Sequence, residues 1–294
     1  MSNIGAVVQF TKTSHNDTYP FVKSSKADLL GRSILITGAS KGIGRAIATS
    51  FATAGASTII LLARSSLDET KDLVHQAAKK AGRAQPKVLT VKCDTTSEAD
   101  VTAAVKTVTE AVGKLDILIN NAGYSSTWIS VTKSDPGEWW KTWEVNVKGT
   151  YLISRAFIPL LLKTESGLKT IVSVSSMGGV ATTPTASAYQ ASKSAQIRLT
   201  NYLCMEHKED GLLAYSIHPG GVKTELAKSM PEPMRSRVLT DTPELAGDSL
   251  VWLTKERREW LMDRFISLAW DMEELEAKKD EIVEKDLLKF KMDV

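Results

Sequence analysis

The stretch SAYQASKSAQ, Ser187 to Gln196, sets a phenol and an ammonium group four residues apart among side chains too small to fill a core. On a helix, positions four apart are neighbours, so Tyr189 and Lys193 point the same way. Such a pair suits proton transfer. An unperturbed phenol titrates near about 10, and a cation beside it favours the phenolate. Reducing a carbonyl requires a hydride from a nicotinamide and a proton for the developing alkoxide. Tyr189 is the candidate acid, or the base in the oxidative direction, and Lys193 is the group expected to keep it acidic. The small Ala191, Ser192, Ser194 and Ala195 would let this helix approach a bound cofactor closely.

A site for that cofactor appears earlier in the chain. Directly after the short apolar run SILIT comes TGASKGIGRAIATSFATAGA, with Gly38, Gly42 and Gly44 in the spacing G-x-x-x-G-x-G between a strand and a helix. This is a relative of the dinucleotide fingerprint. Glycine permits positive φ and close backbone approach to a pyrophosphate, and the free N–H groups opening the next helix attract its charge. A cofactor lacking a 2′-phosphate is normally held by a carboxylate at the end of the second strand. Here that position reads LLARSS, with Arg64 and Ser65 and no acid. Arg64, helped by Lys41 in the glycine loop, suits a 2′-phosphate, so NADP(H) is expected over NAD(H).

The elements that must position these groups follow from periodicity. Short β-branched runs, from SILIT through STIILLA, KVLTVKCD, LDILINNAG, TIVSVSS and LAYSIHPG to RFISLAW, alternate with helical patterns over 42–54, 67–81, 97–112, 136–163 and 187–207. The first six runs are nearly continuous in apolar character, as expected of strands covered on both faces. The alternation implies an α/β doubly wound Rossmann fold, a mostly parallel seven-stranded sheet with helices on both faces, whose ligands bind at the carboxyl ends of the strands.

Composition narrows the function classes. At 294 residues and 43% hydrophobic, the chain can bury one sizeable core, and a formal charge of +3 with no basic run gives no reason to expect nucleic acid. Cys93 and Cys204 form no disulfide framework. No apolar run approaches the roughly 20 residues needed to cross a bilayer, and the N-terminus lacks a signal-like apolar core. A cytoplasmic protein with no membrane association is expected. His15, His75 and His207 have no ligand spacing with acids or cysteines, so no metal is expected.

With the glycine loop, NNAG at Asn120 to Gly123, SVSS before a loop and Y-x-x-x-K in order, residues 30–270 resemble the short-chain dehydrogenase/reductase family. The arm and tail are similar to those of a fungal subgroup associated with secondary metabolism. The resemblance implies a catalytic tetrad of Asn146, Ser176, Tyr189 and Lys193. SVSS offers Ser173, Ser175 and Ser176, and the family's usual distance to the tyrosine selects Ser176. Ser176 would donate to the substrate oxygen, Lys193 would also hold the nicotinamide ribose, and Asn146 would hold a water linking Lys193 to solvent. The family pattern further assigns Ser40, Ile43 and their loop neighbours to the pyrophosphate, and Asp94, followed by Thr95, to the adenine amino group. Asn121, Ala122 and Gly123 fall to the adenine ribose side, and Pro219, Gly220, Val222 and Thr224 to the carboxamide. His218 reads as strand-end packing.

Three segments fall outside the motifs. Residues 1–30 read as an extended arm on the 31–270 domain, and about 221–243 as a substrate lid whose Met230 and Met234 suit an apolar ligand. Residues 271–294 read as a charged, solvated helical tail. Trp128, Trp139 and Met177 are candidates for the pocket wall. FISLAWDMEEL lacks the glycines with which many family members form a tetramer, which leaves a homodimer through the helices beginning near Pro136 and Ser187. The activity expected is interconversion of a ketone and a secondary alcohol on a small-molecule metabolite. A non-redox dehydration or cyclisation at the same site, and a silent NADP sensor, stay open. The intact Ser176, Tyr189 and Lys193 argue against the sensor.

Overall fold

A computed structural model of the chain describes residues 9–291. Its frame is a seven-stranded sheet in the order β3-β2-β1-β4-β5-β6-β7, every neighbouring pair parallel. In chain order the elements begin β1 (Ser33–Thr37), α1 (Gly42–Thr53), β2 (Thr58–Ala63), α2 (Asp68–Lys80), β3 (Lys87–Lys92), α3 (Glu98–Ala111) and β4 (Ile117–Asn120). They continue with α4 (Pro136–Trp143), α5 (Thr150–Lys163), β5 (Thr170–Val174), α6 (Ser187–Glu206), β6 (Leu213–His218), α7 (Glu232–Val238), α8 (Pro243–Thr254), β7 (Phe265–Ser267), α9 (Met272–Ala277) and α10 (Lys279–Glu284). The chain runs outward from β1 to β3, then returns to β4 on the other side of β1. That reversal opens a crevice at the carboxyl ends of β1 and β4, the place where such sheets take ligands.

Alternate residues of each inner strand feed two cores. Ile34 and Ile36 of β1 pack with Ile47, Phe51 and Leu250 from α1 and α8. Leu35 between them joins Phe157 and Leu161 of α5 and Val108 of α3 on the other face. β1, β2, β4 and β5 are buried along their whole length, which is why they read as unbroken apolar runs. β3 departs from that expectation. It has only β2 as a neighbour, and Lys87, Thr90 and Lys92 are exposed, as suits an edge strand.

The continuous helix expected over 136–163 is interrupted. Asp135 caps α4 by accepting from the Glu138 N–H at 2.8 Å, but residues Glu144–Gly149 form a π-helical stretch before α5 begins. Such bulges are frequent at functional sites, and this one carries Asn146. Gly149 is required there because a Cβ would stand 2.7 Å from Thr95 Oγ1.

The charged tail is not a solvated helix, and the sequence expectation is corrected on this point. Met272, Leu275 and Ile282 are fully buried, and Leu288 packs on the same core. The Phe265 N–H donates to the Leu288 carbonyl at 2.8 Å, so the tail covers the outer edge of the sheet at β7. The acidic and basic residues between these anchors face outward, which masks the apolar stripe in the sequence. Within residues 9–30, Val22 and Leu29 are buried, and Ser14 forms an antiparallel bridge with Trp270. The first eight positions of the arm lie outside the described residues.

Candidate active site

The loop after β1 is built for close approach. Gly38 has φ +65°, and a Cβ there would lie 2.9 Å from the Ala122 Cα; at Gly44 a Cβ would meet the Gly38 carbonyl oxygen at 2.3 Å. Asn121 pins the loop from the end of β4, its Nδ2 donating to the Thr37 carbonyl at 2.8 Å. The Arg45 guanidinium holds the Ser40 carbonyl at 2.7 Å and pairs with Glu69. Lys41, at the start of α1, makes no side-chain cap, and the first turn carries no acid. The opening N–H groups of a twelve-residue helix are thus left for an anion.

At the far end of the crevice Arg64 lies 3.7 Å from Asp94. Ser65 donates to Ser40 Oγ at 3.2 Å, tying the end of β2 to the glycine loop. Burial opposes ionisation of Asp94, but two hydrogen bonds from Thr96 and the Arg64 guanidinium outweigh it and hold the carboxyl below its ordinary value.

α6 brings Tyr189 and Lys193 to the middle of the crevice, below the end of β5. Its small residues permit this. Gly179 lies against α6 so tightly that a Cβ would sit 3.1 Å from the Lys193 backbone. Lys193 is 3% exposed and donates from Nζ to the Val174 carbonyl at 2.8 Å. Burial pushes its ammonium down to about 7. Burial likewise raises the Tyr189 phenol, with only the hydrogen bond to Ser176 acting in the other direction. The expectation that Lys193 keeps this phenol acidic is not met in this arrangement, where the phenol is raised. The lysine nitrogen stands 5.7 Å from the ring centroid and is committed to a carbonyl, so desolvation dominates.

Asn146 is fully buried, and its side chain is bonded to protein partners. Oδ1 accepts from the Tyr124 N–H, while Nδ2 donates to the Tyr124 carbonyl and to Ser192 Oγ, each at 2.9 Å. It ties the chain after β4 to α6, one residue before Lys193.

Twenty of the twenty-one residues singled out in the sequence for catalysis or cofactor binding are thereby brought onto one cavity of about 1300 Å³: Gly38, Ser40, Lys41, Gly42, Ile43, Gly44, Arg64, Ser65, Asp94, Thr95, Asn121, Ala122, Gly123, Ser176, Tyr189, Lys193, Pro219, Gly220, Val222 and Thr224 all line it, and Asn146 stands behind the wall. Trp128, Met177, Met230 and Met234 line it too. Trp139 does not. It stacks on Trp143 with ring centroids 5.6 Å apart and donates to Ser187 Oγ at 3.2 Å, bracing α4 against α6. His218 reaches the cavity wall, and burial holds its imidazole down to about 4, with Asp241 opposing.

Sequence reasoning missed one side of the cavity. Ser14, His15 and Asn16 of the arm and Trp270 after β7 line it. No local motif marks them, because their placement depends on contacts more than 220 residues away in the chain.

Comparisons with known proteins agree with this geometry. Residues 32–235 match the short chain dehydrogenase family model. A short chain dehydrogenase of Monascus ruber, citE, is 50% identical over 95% of this chain and 94% of its own length. One from Emericella variicolor, andI, is 46% identical over 97% of both chains. Among solved structures, a 3-ketoacyl-(acyl-carrier-protein) reductase from Brucella melitensis complexed with NADH has a TM-score of 0.69 at 27% identity, covering 82% of this chain and 97% of its own. A short-chain type dehydrogenase/reductase from Mycobacterium marinum has a TM-score of 0.71 at 27% identity, with 82% and 94% covered. A matched family region spanning the glycine loop through the segment after β6, on a sheet of the same architecture, places the chain in the short-chain dehydrogenase/reductase family of nicotinamide-dependent oxidoreductases.

Proposed function

We propose that this protein interconverts a ketone and a secondary alcohol on a small-molecule metabolite, with NADP(H) as its cofactor. The observation that carries the reading is the convergence of Tyr189, Ser176 and Lys193 on the cavity that also holds the glycine loop. The residues present fit the dinucleotide: the side-chain-free surfaces of Gly38 and Gly44, the uncapped start of α1 and the cationic Arg64 and Lys41 suit a pyrophosphate and a 2′-phosphate. When bound, the nicotinamide supplies or accepts the hydride.

The chain's own residues do the rest. Ser176 donates a hydrogen bond to the substrate oxygen as negative charge develops there. Tyr189, kept protonated by burial, passes its phenolic proton to that oxygen. Lys193 offers a positive charge beside the resulting phenolate once it is protonated, and holds ribose hydroxyls. Asn146 is a positioning residue, fixing Tyr124 and Ser192 so that Lys193 stays under Gly123. Trp128, with its ring centroid 6.4 Å from that of Tyr189, and the three methionines of the wall favour a sizeable, partly apolar substrate.

The homodimer reading has support in the exposed Trp140, Tyr151, Tyr202 and Met205 on α4, α5 and α6, apolar surface of the kind that pairs two copies. Light scattering during gel filtration reads the mass directly. The activity is tested by following NADPH absorbance with a panel of aryl and alkyl ketones. Ketone-dependent oxidation supports it, and conversion of substrate without any change in NADPH refutes it.

A further inference from the structure

We infer that the N-terminal arm is a working part of the substrate site, with Asn16 as the positioning residue that latches the segment between β6 and α8 over the cavity. The inference rests on the proposed function for the identity of the ligand, but the latch itself is a property of the chain.

The segment is closed at its base by Asp241. The Gly221 N–H donates to Asp241 Oδ2 at 2.6 Å, and the Asp241 N–H returns a bond to the Gly221 carbonyl at 2.9 Å. Residues 221 and 241 thus meet, and the chain between them, which carries Met230, Met234 and α7, forms a loop over the cavity. The second oxygen of Asp241 is held by the arm. Asn16 Nδ2 donates to Asp241 Oδ1 at 2.7 Å and to Thr240 Oγ1 at 2.9 Å. The Asn16 carbonyl accepts from the Thr242 N–H at 2.8 Å, and Asp17 accepts from Thr242 Oγ1 at 2.7 Å.

The arm is itself anchored on the opposite wall. The His15 N–H donates to the Ala269 carbonyl at 2.8 Å, and its ring is bonded to Asp271 at 2.8 Å and stacked on Tyr19 at 3.6 Å between centroids. Three residues on, Thr18 bonds to Asp248 of α8 at 2.5 Å. The arm therefore spans from the end of β7 to the base of the loop, and Ser14, His15 and Asn16 face the cavity along the way. The loop is pinned in its middle by Ser229, which bonds to Ser125 at 2.8 Å and accepts from the Trp128 N–H at 3.2 Å, and the arm adds a separate strut at its base. Losing it should widen the substrate half while leaving the glycine loop and Arg64, on the far side of the crevice, as they are.

The test uses full-length protein and trypsin, since the loop carries Arg235 and the exposed Arg237. Asn16 is exposed, so N16A removes its two side-chain bonds, to Asp241 and Thr240, without opening the core. In N16A, cleavage after Arg235 or Arg237 should accelerate about ten-fold, the loss of a charge-assisted hydrogen bond. N16D, which sets a carboxylate against Asp241, should be cleaved at least as fast. The dissociation constant for NADPH should stay within about two-fold, and the KM for a ketone turned over by the wild type should rise by about ten-fold with kcat little changed. Wild-type cleavage rates in both variants overturn the latch. Faster cleavage with an unchanged KM overturns the arm's part in the substrate site. If the wild type turns over no ketone, the proposed function fails while the proteolysis still reads the latch.

Discussion

Lys193 donates its Nζ hydrogen to the carbonyl of Val174, 2.8 Å away, and not to the phenol of Tyr189. The bond draws the ammonium group into the end of β5, where it is nearly devoid of solvent. Two consequences follow from electrostatics. Burial disfavours the charged form of each group, so the lysine descends to about 7 while the phenol rises. At neutral pH the site is a protonated phenol beside a lysine that is only partly charged.

A bound dinucleotide brings phosphate charge into the same cavity and favours the ammonium form. Lys193 has a value of about 7, below its ordinary 10.5, so at pH 8 it is mostly neutral before binding and gains a proton on binding. Calorimetric titration of NADPH at pH 8, in two buffers of different ionisation enthalpy, should report uptake approaching one proton. K193M should abolish the difference between buffers. Buffer-independent enthalpies for the wild type would sink the assignment. The same depressed value has a stability counterpart. The unfolded chain binds more protons than the folded one between about 7 and 10.5, so this residue's penalty on folding is full below about 7 and lifts as the pH rises through that window.

Removing the phenolic proton should separate chemistry from binding. Y189F is expected to lower kcat by roughly 10²–10⁴, the usual contribution of general acid catalysis. S176A should cost roughly 10²–10³ through the lost donor at the developing oxyanion. Neither should shift the NADPH dissociation constant beyond about two-fold, because the glycine loop and Arg64 are untouched. A Y189F protein with wild-type turnover would remove Tyr189 from the reaction.

In the proposed reading, Arg64 is the residue that selects NADP(H). Its side chain is 64% exposed and pairs loosely with Asp94, so its bond to a 2′-phosphate lies at the low end for charge-assisted contacts. R64A should lower kcat/KM for NADPH by about ten-fold, equivalent to ~1.4 kcal/mol. The value for NADH should hardly move. Equal losses with both cofactors would show that Arg64 shapes the crevice rather than reading the phosphate.

How far the molecule was legible in its sequence depends on the range of the forces involved. β1, β2, β4 and β5 declare themselves because both faces are covered, and every residue along them except Asn120 is apolar or small. The pairing of Tyr189 with Lys193 is legible from helical spacing alone. What Lys193 bonds to is not, since Val174 belongs to another element and a carbonyl leaves no mark in the sequence. The π-helical turn at Asn146 was likewise hidden inside an apparently continuous helical pattern. The arm was opaque for a related reason. Asn16 and Asp241 meet through single hydrogen bonds across 225 positions, with no periodicity to announce them.

The tail shows the same limit most clearly, and it yields the last expectation. Among its many charges, Met272, Leu275 and Ile282 are the anchors, each fully buried. Asp271 starts α9 by accepting from the Glu274 N–H at 2.8 Å, and Arg258, lying 4.0 Å over the Trp252 ring, comes within 3.8 Å of Glu276. A solvated helix would tolerate truncation of any of the three anchors. A docked one would not. L275A should destabilise the protein by about 2–5 kcal/mol, the range for emptying a buried leucine site, lowering the melting temperature by roughly 4–15 °C. E273A, on the outward face, should leave it within about 2 °C. Differential scanning calorimetry reads both. If L275A melts with the wild type, the tail does not cover β7, and the edge of the sheet must be protected by other means.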